Sequence, residues 1–427
     1  MTNDAAIPVD VAVIGGGPAG ISVCLALSKV PTLKVALFES EPELGGIPRS
    51  SHIFFGMRDL RQIHTGSSYA RKLDSLVRRT SVHIHTNATV IDLLPGEKGQ
   101  RHTLHVASPD GFDIYDSRAV LLATGCYESS REARLIPGTR PSGIFTTGTL
   151  QKTVNLQHQK PGSRAVIIGS EHVAFSSVLT LRRAGMAVSG MLEEDAEFQT
   201  YPFMAKCMSR FYGFPVYRNT RLKGILGEKR VEGIEFWNNG SDKVSFIPCD
   251  TVVMTGKFRP DSSLIFDSAI EEDPSTFSPV VDTHLETSVP GIFAAGNVLH
   301  PANMHDLCAL EGKEAAKSIN RYLNSSKPKE DPIITIRAES PIRYVTPRRI
   351  HPGQARRHRV SRLLPCCNIQ IEHTMKRPSL DAFSGNEKIW TRSYNRLIAN
   401  TTIPLPIEKF DWDRVNPVKG IDLRIRS

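Results

Sequence analysis

Gly15, Gly17 and Gly20 follow the spacing Gly-x-Gly-x-x-Gly, directly after a nearly continuous apolar run at residues 9–14. The run reads as a buried parallel strand. A helix then runs from Pro18 to Leu27, and a second strand at 34–38 leads to Glu39. Each residue type has a chemical use in this order. Gly15 permits a tight turn, Gly17 lets backbone approach a pyrophosphate, and Gly20 lets the helix pack closely on the strand. Pro18 and Ala19 open the helix, whose N-terminus attracts the phosphate charge. Glu39 can accept hydrogen bonds from both ribose hydroxyls. Strand, glycines, helix, strand and acid in register define a dinucleotide-binding unit far better than the glycines alone.

Further positions say which dinucleotide. Glu39 is followed by the pair Gly45-Gly46, and Glu-x(5)-Gly-Gly resembles the pattern of flavoproteins that bind two dinucleotides, where the second glycine pair passes beside FAD. Arg49 and His52, just beyond, can face pyrophosphate, substrate or solvent. Downstream, residues 287–297 resemble the closing strand of such proteins, in which Gly296 meets the ribityl-phosphate portion of FAD. The last position, usually Asp on a ribitol hydroxyl, is Asn297 here. The next helix is expected to start near Asp306 as its N-cap, with Leu307, Leu310, Ala315, Ile319 and Leu323 on one stripe. In the resembling fold that helix end points at the flavin, where it would stabilise the anionic reduced form. Met304 and His305 would then lie near the ring, with His305 as a proton donor, a substrate contact or a residue that only orders the loop. Residues 119–125 form an apolar strand ending in Ala123-Thr124-Gly125, the exit from the FAD domain in the same proteins, and residues 82–85 with Thr89 and Val90 suggest a strand passing the adenine.

A second strand–turn–helix–strand unit begins at 163–168, with Gly185 ending the helix. Its turn reads Gly169-Ser170-Glu171-His172-Val173-Ala174, so Glu171 stands where a glycine would touch pyrophosphate. Three readings stay open. The fold persists without a ligand, Glu171 turns away so that NADH or NADPH still binds, or the surface serves another subunit. If a nicotinamide binds, Glu193 or Glu194 favours NADH, because neither welcomes a 2′-phosphate.

Together these residues resemble the class II pyridine nucleotide-disulfide oxidoreductase superfamily over residues 8–325. Within it, the segments 123–128, 135–149 and 296–300 look like the subgroup holding the FAD subunits of hydrogen cyanide synthase, opine oxidase and D-hydroxyproline dehydrogenase, and FAD oxidoreductases found beside glycerol-3-phosphate dehydrogenases. The resemblance implies an FAD-dependent oxidoreductase. Hydride from an organic substrate or NAD(P)H would reduce flavin N5, and electrons would pass to an acceptor. The alternative it leaves is a noncatalytic or electron-relay FAD subunit of a heteromeric dehydrogenase. A small-molecule substrate is implied, and a companion dehydrogenase subunit or a second copy of the chain are the partners that fit.

Composition narrows the field further. The chain has 427 residues, 40% of them apolar, and a net charge of +9, which excludes a disulfide-stapled miniprotein or a disordered chain. None of the seven cysteines forms Cys-x-x-Cys, which argues against a dithiol centre, a zinc ribbon, an iron–sulfur cluster or any other metal site. Cys126 reads as a packed thiol, and the adjacent Cys366 and Cys367 as reduced. With no targeting segment and no membrane-spanning run, a cytoplasmic protein is expected. Beyond a polar linker at 324–332, short strands at 333–336, 343–345, 389–392 and 401–405 suggest a β-rich appended domain. Arg343, Arg348, Arg349, Arg356, Arg357, Arg359 and Arg362 crowd there without interleaved aromatics, which reads as a solvated or docking face, not a nucleic-acid site. The fold class is thus α/β: two dinucleotide-binding Rossmann-like domains plus a small β-rich C-terminal domain. The FAD domain is discontinuous, at 1–125 and 280–325; the second, degenerate NAD(P)-type domain takes 150–275 and the appended one 333–427.

Overall fold

The computed structural model describes residues 6–97, 99–241, 243–266, 268–324, 332–355 and 367–426. Arg356, Arg357, Arg359, Arg362, Cys366 and most of the expected linker lie outside these residues. The first strand, Ile7–Ile14, is paired in parallel on both sides, with Val35–Glu39 and with the end of Gly111–Leu122. That double pairing explains its apolar run: Val11, Ala12 and Val13 are fully buried, and each buried Val-sized side chain contributes roughly 1.5–3 kcal/mol. His83–Thr86 pairs beyond Val35–Glu39, and Ile292–Ala294 pairs on the far side of Gly111–Leu122. The parallel strands therefore run in spatial order third, second, first, fourth, fifth. Crossovers reverse between Ile7–Ile14 and Gly111–Leu122, and a ligand crevice is expected at the carboxyl ends of those two strands.

Pro18–Leu27 and His305–Asn324 pack together against this sheet. Helix proximity sets two glycines. A Cβ on Gly312 would stand 2.3 Å from the Ala19 carbonyl oxygen, and one on Gly20 would stand 2.0 Å from that of Gly15. The antiparallel strands Thr89–Leu94 and His102–Ser108 extend the sheet outward.

A second parallel sheet holds Ile144–Thr146, Thr251–Met254, Arg164–Ile168, Ala187–Leu192 and Val216–Tyr217, in that spatial order. Helix His172–Arg183 covers it, and a three-stranded antiparallel sheet, Thr220–Leu226, Gly233–Asn238 and Val244–Pro248, packs beside it. The chain passes between the two parallel sheets twice. Its two crossings pair with each other, Cys126–Glu128 antiparallel to Phe258–Pro260.

The C-terminal region is β-rich, as its short apolar segments imply. A mixed sheet is built on Ile334–Ala338, Ile421–Arg426 and Ser379–Ser384, and an antiparallel one on Ile342–Thr346, Cys367–Ile371 and Ile403–Leu405. Its own core includes Ile336, Ile369, Leu380 and Leu423. It touches both other units: His351 Nε2 lies 2.8 Å from Asp282, Arg348 pairs with Asp273 at 2.9 Å, and Arg396 and Lys376 both reach Glu197 at 2.9 Å. Among the described residues no helix is long and apolar enough to cross a membrane.

Candidate functional site

The first glycine turn sits at the crevice the sheet order demands. Gly15 has φ +106°, and a Cβ there would meet the Ala123 carbonyl oxygen at 2.3 Å, so turn and exit strand touch backbone to backbone. Gly17 is different: nothing lies within 4 Å of the place its Cβ would take. Gly46, with φ +60°, stands over it, its added Cβ only 3.1 Å from the Gly17 Cα. The Gly45 amide donates to the Gly16 carbonyl at 2.8 Å. The two glycine pairs, distant in sequence, thus form one wall.

Glu39 ends its strand beside this turn. Its carboxylate accepts from the amides of Gly16 and Glu41, both at 2.8 Å, which fixes it at the rim. The Ser40 hydroxyl donates to it as well, at 3.3 Å; a carboxylate offers about four acceptor positions, so one remains for a ribose. Arg49 lines the next stretch. It pairs with Glu43 at 2.8 Å, while its Nε is buried without a hydrogen-bond partner. An open glycine, an acid at the strand end and an unpartnered buried guanidinium nitrogen fit an adenine dinucleotide.

The remaining expected positions divide. Val90 is buried and pairs with Val106 in the antiparallel extension. Thr124 donates to the Asp261 carbonyl and Gly125 accepts from the Asp261 amide, so both tie the two crossings together. Gly296 has φ +85° and faces Ala19; its amide donates to Glu311, which also holds His300. Asn297 accepts from the Asn303 amide at 3.0 Å, bracing the loop before the helix. His52 bonds Asn155 of the second unit at 2.7 Å and joins the two units there.

The helix expected at the flavin edge starts at His305, one residue earlier than expected. Asp306 therefore lies inside the first turn and is not the N-cap. It is fully buried and both its oxygens take Arg58 Nη1 at 3.1 Å. His305 packs edge-on to Phe55, with ring centroids 4.9 Å apart. Burial holds its pKa down at about 4, so near neutral pH the imidazole lacks the extra proton a cationic donor would need. Burial pushes the Cys126 thiol up to about 12, which keeps it an inert thiol.

The second turn repeats the first with changed side chains. Ser170 stands where Gly16 stands, and its hydroxyl donates to Glu193, the counterpart of Glu39. Glu193 also accepts from the Asp195 amide at 2.9 Å, as Glu39 does from Glu41. Glu171 fills the place that is open above Gly17. One of its oxygens takes the Thr255 hydroxyl at 2.8 Å, and its carboxyl lies 1.9 Å and 2.6 Å from where Cβ atoms on Gly256 and Gly169 would be. It therefore sits at the carboxyl ends of Arg164–Ile168 and Thr251–Met254, between them, on the crevice of this sheet. Burial raises its pKa. Arg134, a neighbouring cation, is spent on the carbonyls of Ser129, Thr255 and Gly256. These residues do not fit a dinucleotide pyrophosphate, whose place and charge the carboxyl already takes. Glu128, half-buried nearby, accepts from the Gly148 amide and has its Oε1 unpartnered. Burial raises it to about 7, the same value burial gives Glu193. Glu128 ends the resembling segment 123–128 but carries no role of its own there, and Arg134 lies outside every motif the sequence shows.

Two parallel-sheet units joined by a paired double crossing, with a glycine cradle on the first, define a two-dinucleotide oxidoreductase scaffold. The pyridine nucleotide-disulphide oxidoreductase family matches residues 9–319, and the chain belongs to that family. It is an FAD-dependent oxidoreductase. Relatives include ferredoxin–NADP reductase 1 of Lysinibacillus sphaericus, 25% identical over 324 residues, spanning 73% of this chain and 88% of the relative. An opine oxidase subunit of Rhizobium meliloti is 24% identical over 318 residues, 67% of this chain and 58% of that one. Thioredoxin reductase of T. acidophilum has the same fold, with a TM-score of 0.62 at 21% identity over 75% of this chain and 99% of that one. The family match ends at residue 319, before the C-terminal sheets.

Proposed function

We propose that this chain oxidises a small organic substrate directly and hands the electrons to an acceptor, instead of drawing them from NADH or NADPH. The observation that carries this is the Glu171 carboxyl in the crevice of the second sheet, bonded to Thr255 at 2.8 Å. A carboxyl fixed there takes the space that a pyrophosphate would need. FAD, when bound, supplies the hydride-accepting and electron-donating chemistry. We assign its holding to Gly15, Gly17, Pro18, Ala19, Gly20, Glu39, Gly46 and Arg49, with Val90, Thr124, Gly125, Gly296 and Asn297 shaping the walls. His305, kept neutral by burial, acts as a hydrogen-bonding contact beside the reacting end. Anaerobic addition of NADH and then NADPH to the FAD-loaded protein tests the reading. The flavin absorbance is expected to persist with both and to bleach with a member of an amino- and hydroxy-acid panel. Rapid bleaching by either nicotinamide would overturn it.

A second reading, an electron-relay subunit of a heteromeric dehydrogenase, is favoured by the similarity to a chain named as an oxidase subunit. Steady turnover by the isolated chain would eliminate it.

A further inference from the structure

The dinucleotide cradles leave unexplained a cavity of about 400 Å³ where all three units meet. Its volume lies in the range of small-molecule sites. Its lining includes Asn303 and Met304, just before helix His305–Asn324, and Arg343 and Tyr344 of the C-terminal unit. Its charge is lopsided. Arg58 is matched by Asp306, but among the described residues Lys257, Arg259 and Arg343 have no ion-pair partner. Arg259 stacks over Phe277 at 4.7 Å, and Arg343 donates to Asn400 at 3.0 Å, which holds both guanidinium groups in place. The one carboxyl on the wall is Glu171. Independently, Tyr344 is 4% exposed and its hydroxyl has no hydrogen-bond partner. Buried donors are almost always satisfied, so this hydroxyl lacks the acceptor such a group normally has.

We propose that this cavity binds the anionic group of a small substrate, a carboxylate or a phosphate, through Arg343, Arg259 and the Tyr344 hydroxyl. The appended C-terminal unit thereby completes the substrate site. This rests on the reading that an organic substrate, not a nicotinamide, reduces the enzyme. Its chemistry is that of charge-assisted hydrogen bonds in a partly desolvated pocket.

The test is equilibrium binding to the full-length, FAD-loaded protein at constant ionic strength. Benzoate probes the carboxylate arm and inorganic phosphate the phosphate arm, each followed by flavin difference absorbance and by the thermal midpoint. Saturable binding in one arm is expected. Arg343→Gln should weaken it at least tenfold, and Arg343→Lys should recover part of the loss. Tyr344→Phe should leave the ligand-free midpoint unchanged or higher, since it removes an unsatisfied group, yet weaken binding several-fold. Arg424→Gln, on the exposed side of the same unit, should bind as the parent does. Failure of both anions to bind, or parent-like binding by both Arg343→Gln and Tyr344→Phe, would overturn the proposal. Binding is read without turnover, so bleaching by NADH would remove only the electron-source reading.

Discussion

At the scale of single residues, Glu171 separates the two nucleotide units. Where Gly17 leaves open space, Glu171 places a carboxyl held by Thr255. Glu171→Gly should free the crevice and tighten nicotinamide binding on the order of tenfold, about 1.4 kcal/mol. Fluorescence titration with NADH would show it, and an unchanged affinity would mean the helix N-terminus is closed for another reason. Glu128 and Glu193 make a separate prediction. Burial raises both from 4.5 to about 7. Between those values the folded chain keeps protons that the unfolded chain has released, so stability falls as pH rises through this window. The contribution is fully present below about 4.5 and gone above about 7. Glu128→Gln should flatten the decline of the thermal midpoint between pH 5 and 7.5, because the amide stays neutral throughout.

At the scale of elements, helix His305–Asn324 begins with a buried anion in its first turn. Asp306 suits the positive end of the helix, but a fully buried carboxylate also needs a counter-charge, and Arg58 provides it. Removing one partner of a buried pair commonly costs about 3–5 kcal/mol. Arg58 is one-third exposed, so solvent screens part of this interaction. Arg58→Ala should therefore lose roughly 1–3 kcal/mol, and Asp306→Asn in the same chain should recover much of it. Chemical denaturation of the two variants checks this; equal loss in both would show that Arg58 acts through packing alone. Asp306 reads naturally as a cap from sequence, because the apolar stripe begins at Leu307. Its pairing with a residue 248 positions away leaves no local trace.

At the scale of the whole molecule, the C-terminal unit is clamped to the FAD unit at Asp282. This buried carboxylate takes His351 Nε2 at 2.8 Å and the amides of His284 and Glu286 at 2.7 and 3.0 Å. Asp282→Ala leaves one buried and two half-buried donors without this acceptor, the buried one alone costing roughly 1–3 kcal/mol before relaxation. Calorimetry should then resolve a separate, earlier transition for the C-terminal unit, while Asp282→Asn keeps most of the clamp. A single unshifted transition would show that the unit is held by its other contacts. The three-unit cavity depends on the same clamp, since Arg343 and Tyr344 lie on strand Ile342–Thr346 of that unit.

The first dinucleotide unit was legible in the amino-acid order because its requirements are local. Gly15, Gly17 and Gly20 answer to backbone approach within one turn, and Glu39 to the end of the next strand. The altered second turn and the β-rich C-terminal region were legible for the same reason, through a Glu in a glycine position and short apolar segments. Tertiary structure decided what those features mean. Only the packed crevice shows Glu171 turned inward onto Thr255, and only burial explains the neutral His305 and the raised Glu128. The cavity belongs wholly to this level: Arg58, Lys257, Arg259 and Arg343 come together from segments with no shared spacing. Local pattern records what a residue does to its own turn of chain, whereas charge, burial and cavity shape are set by whichever distant surfaces pack against it.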